Sequence, residues 1–215
     1  MLELPFRDRE EAGRLLGAQL AGRKLPKDSI VLALPRGGVP VAFEVARALG
    51  LPLDVIVVRK LGIPWQPELA MGAIASGGVR VLDEELIRQE RISPEDVEAI
   101  AAREEHEAER REQLYRAGRA ALELRNRTVI LVDDGLATGS TMRAAVKCVK
   151  SLQPSAVIVA VPVASWQACA HIREEADECV CLAVPKPFRA VGEWYQDFRQ
   201  TSDAEVRDLL RQPAC

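Results

Sequence analysis

Hydrophobic positions along the chain follow two periods. After an amphipathic opening helix from about Asp8 to Leu20, SIVLAL (Ser29 to Leu34) is a continuous apolar run, too short and too rich in β-branched residues for a helix, and it reads as a buried strand. It runs into PRGGVP, and a helix follows to Ala48, stopped by Gly50. LDVIVV (Leu53 to Val58) is a second buried strand, and two continuous apolar strands joined by a helix make a βαβ unit, which implies a parallel sheet. From Thr128 the same rhythm returns: TVILV is a strand, Ser140 to Leu152 a helix, AVIVAVPV a strand, Trp166 to Ala176 a helix and CVCLAV a strand. Together these predict an α/β fold, an open and mostly parallel sheet of about five strands with helices on both faces.

Two segments fall outside that rhythm. RKLGIPWQPELAMGAIASGGVRVLD holds Gly and Pro at irregular intervals, with Gly77-Gly78 between two short β-like runs, so about 61–82 reads as a flexible hairpin or loop rather than core. Ser93 as N-cap and Pro94 at the first helical position, with Asp96 reaching back, open a helix that runs through Leu122. Its middle is mostly Glu, Arg and Ala, too polar for core, which predicts a solvated arm or a subunit contact. The final PKPFRAVGEWYQDFRQTSDAEVRDLL is aromatic-rich and reads as a small cap. The expected organisation is a core over residues 1–183, including the loop and the long helix at about 94–122, followed by a C-terminal hood over 184–215.

Composition narrows the classes. With 215 residues, 48% of them hydrophobic and 28% charged, the chain is one medium domain with a core large enough to need no staples. Lys+Arg 29 against Asp+Glu 32 gives a net charge of -3, so no nucleic-acid partner is expected. No apolar run approaches the ~18 residues of a membrane helix, and the start is charged where a signal peptide would be apolar, which predicts a cytoplasmic protein without membrane contact. Cys148, Cys169, Cys179, Cys181 and Cys215 form an odd set without C-x-x-C spacing, and three sit in apolar segments; they read as buried free thiols rather than a metal site or disulfide framework. An excess of Arg over Lys and a single asparagine, Asn126, fit a thermophile, although genomic base composition gives the same bias.

The candidate chemistry lies in VILVDDGLATGST, Val129 to Thr141. Four apolar residues deliver the chain to the carboxyl end of a strand, where open α/β sheets place their ligands, and Asp133 and Asp134 sit there together. Gly135 and Gly139 allow tight bends, Thr138, Ser140 and Thr141 supply hydroxyls, and the next helix begins with unpaired N–H groups and a positive dipole end. Carboxylates beside an anion loop suit a ligand that is anionic at one end and hydroxylated or metal-bound next to it, such as a sugar phosphate. The glycine spacing matches neither a Walker A loop nor G-x-G-x-x-G.

This stretch resembles the phosphoribosyl-diphosphate (PRPP) motif of type I phosphoribosyltransferases, and the resemblance extends over most of the chain. It implies that Asp133 and Asp134 bind the ribose hydroxyls while Ala137, Thr138, Gly139, Ser140 and Thr141 wrap the 5-phosphate. PRGG stands where the family has its pyrophosphate loop, so Arg36, Gly37 and Gly38, with the Arg59-Lys60 pair at the end of the second strand, would hold pyrophosphate and its Mg²⁺. The family's loop often carries a cis peptide at a non-proline residue, here Pro35-Arg36. The irregular segment stands where the family has its catalytic loop, whose one carboxylate, Glu68, becomes the candidate acid/base group. Hypoxanthine–guanine enzymes have an acid where this chain has Ala137, whereas adenine enzymes share D-D-x-L-A-T-G. A looser echo of the hood makes Phe188 a candidate base-stacking residue and Asp197 a candidate metal contact; Trp194, Tyr195 and Phe198 read as packing aromatics.

The implied activity is an Mg²⁺-dependent transfer of 5-phosphoribose between PRPP and a nitrogenous, purine-like base, with pyrophosphate as the other product and a homodimer as the assembly. The alternative is a non-catalytic regulator that senses PRPP or nucleotides on the same fold.

Overall fold

In this computed structural model, which describes residues 3–75, 77–116 and 118–213 and omits the side chain of Glu68, the chain opens with α1 (Arg9–Ala21). Asp8 caps it by accepting from the Glu11 N–H. There follow β1 (Ile30–Ala33), α2 (Gly38–Leu49) and β2 (Leu53–Val55), the expected βαβ unit with both strands in parallel register. LDVIVV is not one strand, however. Beyond the Ile56 N–H, which donates to the Ala33 carbonyl, β1 has turned away into the Pro35 loop, and a strand without a partner cannot continue. Val58 instead begins a second sheet.

That sheet is the main correction to the sequence reading. The segment expected to be an irregular hairpin rather than core forms three antiparallel strands, β3 (Val58–Ile63), β4 (Gln66–Ala75) and β5 (Val79–Leu82). Its apolar residues divide between two hydrophobic clusters, Ala73 and Ala75 joining one and Leu61, Ile63, Met71 and Ile74 the other, with the period of two slipping by one residue at Met71, where β4 bulges against Leu61 and Gly62. Gly62 and Gly72 interrupt the pattern in the sequence yet mark close backbone approaches, since a Cβ on Gly72 would lie 2.4 Å from the Val81 carbonyl.

After α3 (Glu84–Gln89) comes α4 (Pro94–Arg116), which ends at Arg116 rather than Leu122 and is not a free arm. Val97, Ala101, Ala108 and Tyr115 make a buried stripe on it, and the charged residues Glu104 and Arg116 continue that stripe. Arg116 donates to both oxygens of Asp54 at 3.0 and 3.1 Å and to the Ala120 carbonyl at 2.6 Å. Charge pairing thus anchors a helix whose mean polarity disguised its buried face.

β6 (Thr128–Val132), α5 (Ser140–Ser151), β7 (Ala156–Val163), α6 (Trp166–Glu175) and β8 (Glu178–Ala183) complete the main sheet. Its order is β2-β1-β6-β7-β8 and every neighbouring pair is parallel. Both faces are covered: Val31, Ala33, Ile130 and Val132 pack toward α1 and α2, whereas Ile30, Leu32, Val129 and Leu131 pack toward α5 and α6. The chain leaves β1 toward β2 on one side and returns as β6 on the other, which makes the carboxyl ends of β1 and β6 the switch point where open α/β sheets bind ligands. The C-terminal segment carries a short 3-10 turn at Val191–Trp194 and α7 (Asp203–Arg211). It is stitched to the amino end by Phe6, whose N–H donates to the Trp194 carbonyl and whose carbonyl accepts from Gln196. Among the described residues no helix is long and apolar enough to cross a membrane.

If the Asp54–Arg116 pair anchors α4, then Asp54→Ala, which leaves a buried guanidinium without its main partner, should lower unfolding free energy by about 3 kcal/mol in urea denaturation. A loss below about 1 kcal/mol would place the anchoring elsewhere.

Candidate active site

The Leu34 N–H donates to the Val132 carbonyl at 2.9 Å, so the loops that leave β1 and β6 emerge side by side. The Pro35-Arg36 bond in the first loop is cis. Gly37 and Gly38 then press this loop onto the second. A Cβ on Gly37 would come within 2.1 Å of Asp134 Oδ2, and one on Gly38 within 2.8 Å of the Val132 carbonyl and 2.9 Å of Asp133 Cα. No other residue fits there without moving the carboxylates.

Those carboxylates sit in an expensive environment. Asp133 Oδ1 accepts from the Asp134 N–H at 2.8 Å, and Asp134 Oδ2 accepts from Arg9 Nε at 2.8 Å. Burial, and then the neighbouring Asp134 charge, push the Asp133 carboxyl well above the usual carboxylate range; burial also raises Asp134, against the pull of Arg9. Arg9 was invisible as a site residue in the sequence: it opens an ordinary amphipathic helix 125 positions from its partner. Its guanidinium lies 3.9 Å from the Phe198 ring centroid and donates to the Arg199 carbonyl at 2.7 Å, tying α1, the acidic loop and the C-terminal segment together. Tyr195, expected as a packing aromatic, is buried and also donates its hydroxyl to the Asp134 carbonyl.

The phosphate-type loop follows. Leu136 is buried and bridges to Ala164, and Ser165, the N-cap of α6, donates its hydroxyl to the Ala137 carbonyl at 2.6 Å. Ala137, Thr138 and Thr141 are exposed and Ser140 is half-buried. Gly139 is the N-cap of α5 with φ 76 and has no side chain to cap the helix; the Thr138 hydroxyl accepts from the Ser140 N–H at a long 3.4 Å, a contact an anion at the first turn would replace.

A cavity of about 700 Å³ joins Pro35, Lys60 and Thr141, bringing the first loop, β3 and the start of α5 to one space. Lys60 and Arg59 reach it from β3 of the small sheet, not from the end of the second parallel strand. Arg59 is held by Glu104 of α4, with its Nε and Nη2 2.8 and 2.7 Å from Oε2. Arg36 lies 3.6 Å from Asp203, which also accepts from the Tyr115 hydroxyl at 2.5 Å. Neither Asp203 nor Glu104 carries a local signal in the sequence that would pair it with these arginines.

The remaining expected residues are less gathered. Glu68 lies in β4, with its side chain outside the described residues. Phe188 stacks on Trp194 with centroids 6.2 Å apart, inside a small aromatic cluster. Asp197 has both carboxylate oxygens within 3.0 Å of Arg199 Nε, so its charge is already met.

For Mg²⁺ the donor chemistry at the switch point fits. Two carboxylates flanked by carbonyl and hydroxyl groups are hard oxygen ligands, and the Asp133 charge, balanced here mainly by an N–H, is one a hard cation would offset.

A family model for the phosphoribosyl transferase domain matches residues 18–197. A Mycobacterium tuberculosis protein that carries the provisional name of a phosphoribosyl transferase is 47% identical over 208 residues, 95% of this chain and 46% of that protein. The chain therefore spans about half the length of the curated relatives it matches. The crystal structure of the TT1426 protein from Thermus thermophilus is 45% identical, covers 95% of this chain and 97% of its own, and superposes with a TM-score of 0.89. The AQ2163 protein from Aquifex aeolicus shares the fold at 12% identity, with a TM-score of 0.52 over 86% of this chain and 78% of its own.

A carboxyl whose folded-state pKa is raised contributes stability that is fully present below the unfolded-chain value and is lost as pH rises through the folded value. Asp133→Asn keeps an oxygen for the Asp134 N–H and removes the charge. In the presence of a chelator it should therefore raise the melting temperature near pH 8 by about 2–4 °C, with the gain vanishing toward pH 4. Thermal scans across that range that show a pH-independent difference would contradict the raised pKa.

Proposed function

The chain belongs to the phosphoribosyl transferase domain family, and on that premise we propose that it transfers 5-phosphoribose between PRPP and a nitrogenous, purine-like base in an Mg²⁺-dependent reaction. One observation carries the reading: the loop of Arg36, Gly37 and Gly38 presses on Asp133 and Asp134 and shares one cavity, through Pro35, with Lys60 and Thr141. A ligand with phosphate at one end, hydroxyls in its middle and pyrophosphate at the other meets complementary groups in that order. Ala137 to Thr141 would take the 5-phosphate on the open amides of α5, Asp133 and Asp134 the ribose hydroxyls, and Arg36 to Gly38 with Lys60 the pyrophosphate.

Departure of pyrophosphate from the anomeric carbon leaves a cationic sugar beside a strongly anionic leaving group, so the barrier falls when both charges are met in a site shielded from water. Asp134, oriented by Arg9, supplies fixed negative charge next to the sugar. Lys60 and the loop amides meet the departing pyrophosphate. Asp133, together with oxygens of the substrate, would hold the Mg²⁺, whose chemistry when bound is neutralisation of pyrophosphate charge. Glu68 is proposed to exchange the proton of the acceptor base.

The reading is tested by incubating the protein with PRPP, Mg²⁺ and a panel of purines while pyrophosphate release is followed. Asp134→Asn should lower turnover about 100-fold and leave PRPP affinity within about threefold, because charge beside the sugar matters most when the sugar becomes cationic. Unchanged turnover in that variant would overturn the mechanism. Tight PRPP binding without pyrophosphate release from any base would assign the chain to PRPP-sensing regulators instead.

A further inference from the structure

Away from the switch point, three cysteines converge. Cys179 and Cys181, two residues apart on β8, share one face of the strand, while Val180 between them packs into the opposite cluster. The face they share is covered by α6, and Cys169 from that helix points into the contact, 1% exposed. The Sγ atoms stand 3.0 Å apart for Cys169 and Cys181, 3.7 Å for Cys179 and Cys181, and 3.8 Å for Cys169 and Cys179. The sequence concealed this, because the spacing C-x₉-C-x-C is not a familiar ligand pattern and Cys169 is brought in only by the turn between α6 and β8.

We propose that Cys169, Cys179 and Cys181 form a three-thiolate site for a thiophilic d¹⁰ cation, zinc(II), that clamps α6 to the edge strand β8. The size of the sulfur triangle carries the argument. An ion equidistant from the three sulfurs would lie about 2 Å from each if it stayed in their plane, slightly inside the ~2.3 Å of a zinc–thiolate bond. Zinc at full bond length therefore sits about 1 Å out of that plane; the 3.7 and 3.8 Å edges match the ~3.75 Å between tetrahedral thiolates, the 3.0 Å edge has to open on binding, and one corner of the tetrahedron is left for solvent. Soft sulfur donors select such a metal over Mg²⁺ or Ca²⁺, so the site does not compete for the ion expected at Asp133.

Its surroundings favour metal binding over inert packing. β8 is the outer strand of the sheet and Cys179 and Cys181 are half-buried, which gives an ion a path from solvent. Cys148, by contrast, is buried in α5, and among the described residues no other cysteine joins it. The N-terminal residues of α6 also back the phosphate-type loop, through the Ser165 hydroxyl on the Ala137 carbonyl and the Ala168 methyl opposite Gly139. A clamp on α6 would therefore stiffen the support of that loop without touching its ligand.

The test uses the whole chain, reduced and stripped by a chelator under anaerobic conditions, and titrated with zinc(II) against a chromogenic competitor. One zinc per chain should bind, and cobalt(II) in its place should give thiolate-to-cobalt charge-transfer absorption. Cys179→Ser and Cys181→Ser should each weaken zinc binding by at least about 10-fold and lower that absorption by about a third at saturating cobalt, while circular dichroism reports an unchanged fold. Cys148→Ala should leave both intact. At one zinc per chain the melting temperature of the parent should rise more than that of Cys179→Ser, a half-buried position. Substoichiometric binding by the fully reduced parent, or equal affinity in parent and Cys181→Ser, would overturn the proposal. These readouts do not depend on phosphoribosyl transfer, so an inactive protein that binds zinc in this way would still support the site.

Discussion

Two missing Cβ atoms hold the candidate active site together. Gly37 and Gly38 let the loop after β1 lie against Val132, Asp133 and Asp134, a contact in which a methyl group would collide with backbone and carboxylate alike. The parallel pairing of β1 with β6 brings the two loops to the same end of the sheet, and the glycines turn that proximity into contact. Everything around the site builds on this approach: the cavity reaching Lys60, the opening of α5 and the position of the acidic pair.

The approach holds two half-buried carboxylates side by side, and the surrounding structure compensates only in part. Arg9 meets Asp134 and Tyr195 holds its carbonyl, which recruits both ends of the chain to the middle of the sheet. Asp133, beside the Asp134 charge and with the Asp134 N–H as its hydrogen-bond partner, stays raised above the usual carboxylate range.

Elsewhere charge plays a structural part. Arg59 with Glu104 and Arg116 with Asp54 fasten α4 to β3 and β2, doing work that larger apolar side chains do in a more hydrophobic helix. The small sheet then lies between α4 and α5, with alternate residues committed to each side. Both basic residues of LDVIVVRK line the cavity, and Arg59 also carries the pairing with Glu104.

The main sheet was legible because its information is local: runs such as IVLA and TVILV are apolar along their whole length only when a parallel strand is covered on both faces, and both runs are fully buried. The acidic loop and its helix start were legible for the same reason, since their chemistry lies within thirteen consecutive residues, Val129 to Thr141. The small sheet was missed because its turns and glycines break periodicity over short runs, and α4 because paired charges stand where a periodic reading looks for apolar residues. The partners of Asp134, Arg59 and Cys181 needed tertiary structure, since Arg9 is 125 positions from Asp134, Glu104 is 45 from Arg59 and Cys169 approaches Cys181 only once α6 folds onto β8. By itself the sequence determined which segments lie inside and where the acidic loop runs into a helix start, because burial and helix starts are set by neighbouring residues; which distant side chains share a charge, and which thiols meet, was decided by the packing of elements against one another.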